Sequence, residues 1–170
     1  TNFPADPTFF ASAVFFLLTG TEMTYRQLIT DPLTQKIWLH SSANEFGRLA
    51  QGVGGRVKGT NTIRFIQHKA VPKGHKATYI RAVCELKPNK EEKHRTRVTI
   101  GGNMVDYPGD VSTKTAELES TKLLVNSTIS TPGAKFCTAD VENFYLGTPL
   151  DQWVYIKIPI GLIPQEIIDE

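Results

Sequence analysis

Several features that define common protein classes are scarce in this chain of 170 residues. It has only two cysteines, Cys84 and Cys137, which lie far apart in apolar, strand-like runs. This spacing argues against a disulfide framework and predicts two buried free thiols in a reducing compartment. The formal net charge of +2 is too small to identify a nucleic-acid-binding protein. We therefore predict an intracellular protein whose binding properties depend on local clusters of charge.

The chain also lacks a hydrophobic run that could cross a membrane. Its most apolar stretch, residues 9–18, has ten residues, whereas a spanning helix needs roughly 20. No Lys or Arg precedes this stretch, which makes it a poor signal peptide. We predict no membrane partner, an apolar amino-terminal segment over residues 1–24 that is either packed or poorly ordered, and a domain over residues 25–170. Because the chain lacks an initial methionine and stops soon after a helix-start signal at Pro164, we expect a fragment.

Apolar periodicity and turn residues predict the elements of the first half of the chain. Two helices are expected within residues 25–50, with a break at Asp31-Pro32. Residues 51–59 contain four glycines but no Gly-Lys-Ser/Thr, so they predict a flexible turn rather than a phosphate-binding loop. A strand is predicted at residues 62–67 and a turn at residues 72–75.

Two alternating segments predict an antiparallel hairpin. Residues 78–87 and residues 95–100 each alternate between apolar and polar side chains, and a polar connection joins them. Arg95 and Arg97 share the polar face of the second strand. Two neighbouring guanidinium groups suit bidentate binding of phosphate oxygens, but the pattern is also that of a solvated surface beside Glu91 and Glu92. The local sequence leaves both interpretations open.

The carboxyl-terminal part predicts one helix and two strands. The helix covers residues 115–129 and ends at Thr131-Pro132-Gly133. The strands cover residues 136–141, where Asp140 emerges from an apolar run, and residues 153–158, where Pro159 stops the pairing. Helices and antiparallel strands in this arrangement predict an α+β fold.

From about Tyr25 onward, an ordered series of short motifs resembles the amino-terminal part of the reverse transcriptase of copia-type long-terminal-repeat retrotransposons. Each motif is common by itself, and the resemblance rests on their order and spacing. Trp38 and Glu45 fit the family's lead-in. The motifs that follow are Arg95-Thr96-Arg97, Gly102, Asp106-Tyr107, Asp140-Val141-Glu142-Asn143-Phe144-Tyr145-Leu146, Val154-Tyr155 and Pro159-Ile160-Gly161.

The resemblance implies a right-hand polymerase, of which this chain would supply the fingers and the first part of the palm. Asp140 would be a catalytic carboxylate that holds two Mg²⁺ ions, or Mn²⁺ in their place, for nucleotidyl transfer. The main-chain carbonyl of Val141 would be a further metal ligand. Tyr145 would stack against the deoxyribose and exclude ribonucleotides. Arg95 and Arg97 would bind the triphosphate of the incoming nucleotide.

The same resemblance implies the partners and the location of the protein. The partners would be an RNA or DNA template-primer, deoxynucleoside triphosphates and the remainder of the Pol polyprotein. The location would be a cytoplasmic virus-like particle or the nucleus. Two residues depart from the family pattern, since Phe144 stands where the family has a small residue and Arg95 where it more often has Lys.

The family's second acidic motif, Tyr-x-Asp-Asp, does not occur in this sequence. Because hard cations need several oxygen ligands, we predict that the isolated chain is catalytically inactive. The alternative is a non-catalytic, nucleic-acid-binding remnant of a decayed element. Such a remnant would hold a nucleic-acid backbone electrostatically through its basic residues, Lys69, Lys73, His75, Lys76, Arg81, Lys87, Lys93, Arg95 and Arg97.

Overall fold

The computed structural model describes residues 14–16, 21–105, 107–109, 117–141 and 143–170. The chain divides into two compact units. The first unit combines the residues up to Val105 with Tyr145–Glu170, and the second lies between Asp106 and Phe144. The sequence-based division at residue 24 stays a prediction, because most of residues 1–24 lie outside the described residues.

The first unit begins with a short antiparallel pair of strands and two helices. Strand β1 (Val14–Phe16) pairs with strand β2 (Thr21–Met23). Helix α1 spans Tyr25–Thr30 and helix α2 spans Gln35–Leu49, which confirms the predicted break at Asp31-Pro32.

The glycine-rich loop forms a short hairpin, with the predicted turn at residues 54–56. Strand β3 (Gly52–Val53) pairs with strand β4 (Val57–Lys58). Gly54 and Gly55, which join the two strands, have φ angles of 53° and 67°. Residues with a Cβ atom avoid this region of backbone conformation, so the glycines permit the tight connection.

The predicted strand at residues 62–67 is wrong. This segment is irregular, and most of its side chains are exposed. Its start is bonded to the end of α2 instead, since the Ile63 N–H donates to the Leu49 carbonyl oxygen at 3.0 Å. The last carbonyl groups of a helix lack partners within the helix. The segment therefore satisfies them rather than pairing with a strand. The predicted turn at residues 72–75 is confirmed, with the His75 N–H donating to the Pro72 carbonyl oxygen at 3.3 Å.

A three-stranded mixed sheet forms the centre of the first unit. Strand β5 (Ala77–Leu86) pairs antiparallel with strand β6 (His94–Ile100), which confirms the predicted hairpin. Strand β7 (Tyr155–Lys157), which is shorter than predicted, pairs parallel with the other side of β5. The strand order is β6-β5-β7.

The inner face of this sheet packs on the helices. Ile80, Ala82 and Cys84 of β5 are buried there, together with Trp38 and Phe46 of α2. Burial raises the pKa of the Cys84 thiol to about 12.

The carboxyl-terminal segment contributes buried side chains to this core. Helix α4 (Gln165–Asp169) contributes the buried side chain of Ile167. The Tyr25 hydroxyl donates to the Leu162 carbonyl oxygen at 3.2 Å. This bond satisfies a polar group that burial would otherwise leave unpaired, and burial raises the pKa of Tyr25 to about 12.

The second unit contains helix α3 (Leu118–Ser130), which confirms the predicted helix from Leu118 onward. Residues 115 and 116 lie outside the described residues. The predicted strand at residues 136–141 is wrong, because this segment is irregular and exposed. No strand is found among the described residues of this unit, so its main-chain groups have no edge to pair with. The predicted burial of Cys137 is wrong for the same reason, since its side chain is exposed.

The structure confirms the α+β fold class, since its described residues form four α-helices and small antiparallel and mixed sheets. Among the helices that the structure describes, none is both long and apolar enough to cross a membrane.

Candidate functional site

The outer face of the β5–β6 hairpin carries the two arginines that the sequence analysis identified. Arg97 is paired with Val83 across the strands, and Arg95 is paired with Glu85. Residues directly opposite each other in an antiparallel pair project to the same face, and alternate residues along a strand do so too. Arg95 and Arg97 therefore lie on one face, as predicted. Within the described part of the chain, neither guanidinium forms an ion pair.

The orientation of these arginines follows from bonds on the opposite face of β6. The Ser41 hydroxyl of α2 donates to the His94 carbonyl oxygen at 2.9 Å, and the Thr96 N–H donates to the same hydroxyl at 2.8 Å. These two residues flank Arg95. Because Thr96 is fixed against the helix and is 2% exposed, the alternation of the strand directs Arg95 and Arg97 away from the core.

Arg81 extends this face along β5 and is held in place by Tyr79. Its guanidinium Cζ lies 5.1 Å from the centre of the Tyr79 ring, and its Nη2 donates to the Tyr79 hydroxyl at 3.0 Å. The Tyr79 hydroxyl in turn donates to Oδ1 of Asn103 at 3.2 Å. A Cβ atom on Gly101 would clash with the same ring. The Arg81 side chain is therefore ordered before any ligand binds.

The charge of this face is predominantly positive. Its one acidic side chain among the strand residues, Glu85, forms an ion pair with Lys87, with 3.3 Å between Oε2 and Nζ. Lys157 of β7 is exposed and pairs with Tyr79, so it joins the same face. Sequence reasoning missed Lys157 because only the parallel pairing of β7 with β5, distant in the chain, brings it there.

Asp140 lies in the second unit, in the irregular exposed segment that precedes residues 143–147. The carbonyl oxygen of Val141, the predicted further metal ligand, accepts a long hydrogen bond of 3.4 Å from the Phe144 N–H. This bond closes a tight turn in which Asn143 has a φ of 56°. Asp140 is thus placed just before a turn, not at the end of a buried strand as predicted.

Tyr145 lies in the 3₁₀-helix Phe144–Gly147, and 76% of its surface is exposed. It belongs to the first unit, whereas Asp140 belongs to the second. The structure therefore brings Arg95 and Arg97 together on one face, and it places Asp140 and Val141 in a different unit from Tyr145.

Among the described residues, Asp140 and its neighbours do not by themselves make a site for two magnesium ions. In the described ranges, no group of three or more His, Cys, Asp or Glu side chains could hold a metal ion. Asp140 and the Val141 carbonyl together provide one carboxylate and one neutral oxygen. Magnesium requires near-octahedral oxygen coordination, and a two-ion site requires more carboxylates than one.

These features define an α+β protein with a basic, solvent-facing sheet surface. Comparisons of the chain with protein-family models, with curated proteins and with solved structures found no match. The order of the sequence motifs and the geometry of the basic face are therefore the basis for a functional assignment.

Proposed function

We propose that this chain is part of an RNA-directed DNA polymerase of the copia-type retrotransposon family, and that it supplies the fingers and the beginning of the palm. The observation that carries the proposal is the outer face of the β5–β6 hairpin. There Arg97 is exposed and Arg95 is half-buried, and neither forms an ion pair with a described residue. The ordered motifs between Arg95 and Gly161 support the choice of family.

The geometry of the two arginines suits phosphate binding. Alternate residues on a strand lie about 7 Å apart, so each guanidinium can contact a different phosphate of a triphosphate or of a nucleic-acid backbone. Each can donate two parallel hydrogen bonds to phosphate oxygens. Because Ser41 fixes the strand from behind, little conformational freedom of the main chain is lost on binding.

In this proposal Asp140 is one of the acidic residues of the polymerase, and the other acidic residues come from a Tyr-x-Asp-Asp motif that the present sequence lacks. Tyr145 is the side chain that contacts the sugar of the incoming nucleotide. The partners are deoxynucleoside triphosphates, a template-primer and the rest of a Pol polyprotein, and the location is a virus-like particle or the nucleus. The isolated chain binds nucleic acid but does not extend a primer.

The binding part of the proposal is tested by fluorescence anisotropy with a labelled RNA–DNA template-primer over a series of salt concentrations. The variant Arg95→Ala with Arg97→Ala should bind at least about tenfold more weakly. Its slope of log affinity against log salt should fall by roughly 2, because each lost phosphate contact contributes about 0.9. The matched control is Arg26→Ala with Lys36→Ala, which removes the same charge from exposed positions on α1 and α2. Equal losses in the two double variants would refute a specific phosphate site.

The catalytic part is tested with magnesium and deoxynucleotides. The 170-residue chain should give no primer extension. In a longer polyprotein that includes this chain and a downstream Tyr-x-Asp-Asp, Asp140→Asn should abolish extension while salt-dependent binding persists. Extension that survives Asp140→Asn would contradict the polymerase assignment. A reading frame that contains no such motif would favour the nucleic-acid-binding remnant.

A further inference from the structure

A second surface rich in aromatic and basic side chains lies at the β7 edge of the sheet. This edge is on the opposite side of β5 from β6, so it is distinct from the position of Arg95 and Arg97. Trp153 precedes β7 by two residues, and 65% of its surface is exposed. Tyr155 is the first residue of the strand. The exposed indole indicates a binding surface, because large aromatic side chains usually stabilise protein cores and interfaces.

Basic side chains lie against both aromatic rings. The Cζ of Arg64 is 5.7 Å from the centre of the Trp153 ring, a distance typical of a cation–π interaction. The His75 ring meets the Tyr155 ring edge to face, with 5.3 Å between their centres. Two separate contacts therefore connect the segment between β4 and β5 to the residues at the start of β7.

The same segment is anchored so that its basic side chains remain exposed. The Phe65 ring packs beside the buried ring of Phe46, with 6.4 Å between the centres. The Thr62 hydroxyl donates to the Leu146 carbonyl oxygen at 3.4 Å. Arg64 lies between these two anchors and is exposed. Arg64 therefore has a fixed position beside Trp153, although this segment forms no regular strand.

The charge of this region is far more positive than the mean charge of the chain. Between Phe46 and Cys84 there are eight Lys and Arg residues, two His residues and no Asp or Glu. Five of the Lys and Arg residues are exposed and form no ion pair with any described residue: Lys58, Arg64, Lys69, Lys73 and Lys76. Asp151, two residues before Trp153, is the nearest acidic residue in sequence to the exposed indole.

We infer that the β7 edge binds single-stranded nucleic acid, with one base stacked on Trp153 and the backbone held by Arg64 and the basic residues that follow it. Aromatic platforms combined with a basic groove bind single strands because every unpaired base offers a face for stacking. In a duplex, the bases are already stacked on one another and cannot reach an indole. A protein partner would use Trp153 without requiring 39 residues free of acidic side chains. This inference does not depend on the polymerase assignment.

The test measures binding of labelled oligo(dT) and oligo(U) to the 170-residue chain, together with its tryptophan emission. Trp38 is 3% exposed, so quenching by a bound strand reports on Trp153. Trp153→Ala should reduce affinity about tenfold, and Trp153→Phe should abolish the quenching while it retains most of the affinity. Arg64→Ala should lower the slope of log affinity against log salt by about 0.7, the contribution of one phosphate contact on a single strand.

Two control variants separate stacking from general surface effects. Leu150→Ala removes an exposed apolar side chain close in sequence to Trp153, and Arg26→Ala removes an exposed charge from α1. Both should bind like the unmodified chain. Unchanged affinity of Trp153→Ala, equal losses in the controls, or equally strong quenching by a blunt duplex would each overturn the inference. If oligo(dT) still quenches the Trp153 emission of the Arg95→Ala, Arg97→Ala variant, the β7 edge and the arginine face are separate sites. Failure of the present inference would then leave the proposed function standing.

Discussion

Replacing Ser41 by alanine should weaken the attachment of the arginine-bearing strand to the helix behind it. The Ser41 hydroxyl accepts a hydrogen bond from the Thr96 N–H at 2.8 Å and donates to the His94 carbonyl oxygen at 2.9 Å. Ser41 is 4% exposed and Thr96 is 2% exposed. Water therefore cannot readily replace the lost hydroxyl, and the Thr96 N–H would be left buried without its partner.

The magnitude follows from the cost of that unpaired group. A buried donor without an acceptor costs about 1–3 kcal/mol. Alanine is the better helix former, which offsets this cost by about 0.5 kcal/mol in α2. We therefore expect Ser41→Ala to lower the free energy of unfolding by about 0.5–2.5 kcal/mol. The unfolding free energy of a domain of this size falls with urea at a typical slope. The urea concentration at the unfolding midpoint should therefore fall by roughly 1 M.

The assay is urea unfolding followed by circular dichroism and by tryptophan emission. Trp38 is suited to this purpose because it is buried and its ring meets the His94 ring edge to face at 5.3 Å. The control is Ser42→Ala, since the Ser42 hydroxyl donates to the Leu39 carbonyl oxygen within the helix. Its removal leaves no main-chain N–H of β6 unpaired. A loss below about 0.5 kcal/mol for Ser41→Ala would contradict the role given to its hydroxyl.

Two further predictions concern other buried groups. Gly101→Ala should lower the unfolding free energy by about 1–3 kcal/mol in the same urea assay, because a Cβ atom there meets the Tyr79 ring. Gly102→Ala has no heavy atom nearby and should be close to neutral, so equal effects of the two changes would contradict this explanation. Burial raises the pKa of Cys84 to about 12, whereas Cys137 is exposed. Cys137 alone should therefore react quickly with a disulfide reagent in the native chain. If rapid labelling persists in Cys137→Ser, burial does not shield Cys84 from the reagent.

The elements that the sequence predicted correctly are those with a local signal. The alternation of β5 and β6 and the polar link between them specify the hairpin within a short stretch of chain. The break between α1 and α2 follows from Pro32, which lacks a main-chain N–H and disfavours a helical residue before it. In each case the residues that determine the structure are close together in sequence.

The strands that the sequence predicted wrongly depend on partners far away in the chain. Residues 62–67 and residues 136–141 both have apolar side chains typical of strands, but neither pairs with a described strand. In the first case the end of α2 provides competing carbonyl groups. An isolated strand gains little from its propensity, because its main-chain groups need an edge.

This distinction bears on how far each site residue could be placed from sequence. Arg95 and Arg97 could be assigned to one face because that face follows from the period of a single hairpin. Lys157 and Trp153 could not, since the parallel pairing of β7 with β5 joins Tyr155 to Ala77 across a long stretch of chain. The structural setting of Asp140 could not be predicted from sequence either. Its motif was identified by order along the chain, yet that order carried no information on whether a strand would present its carboxylate. Residues placed by local periodicity can therefore be tested by substitution in the isolated chain, whereas the proposed role of Asp140 can be tested only in a protein that also contains the proposed Tyr-x-Asp-Asp motif.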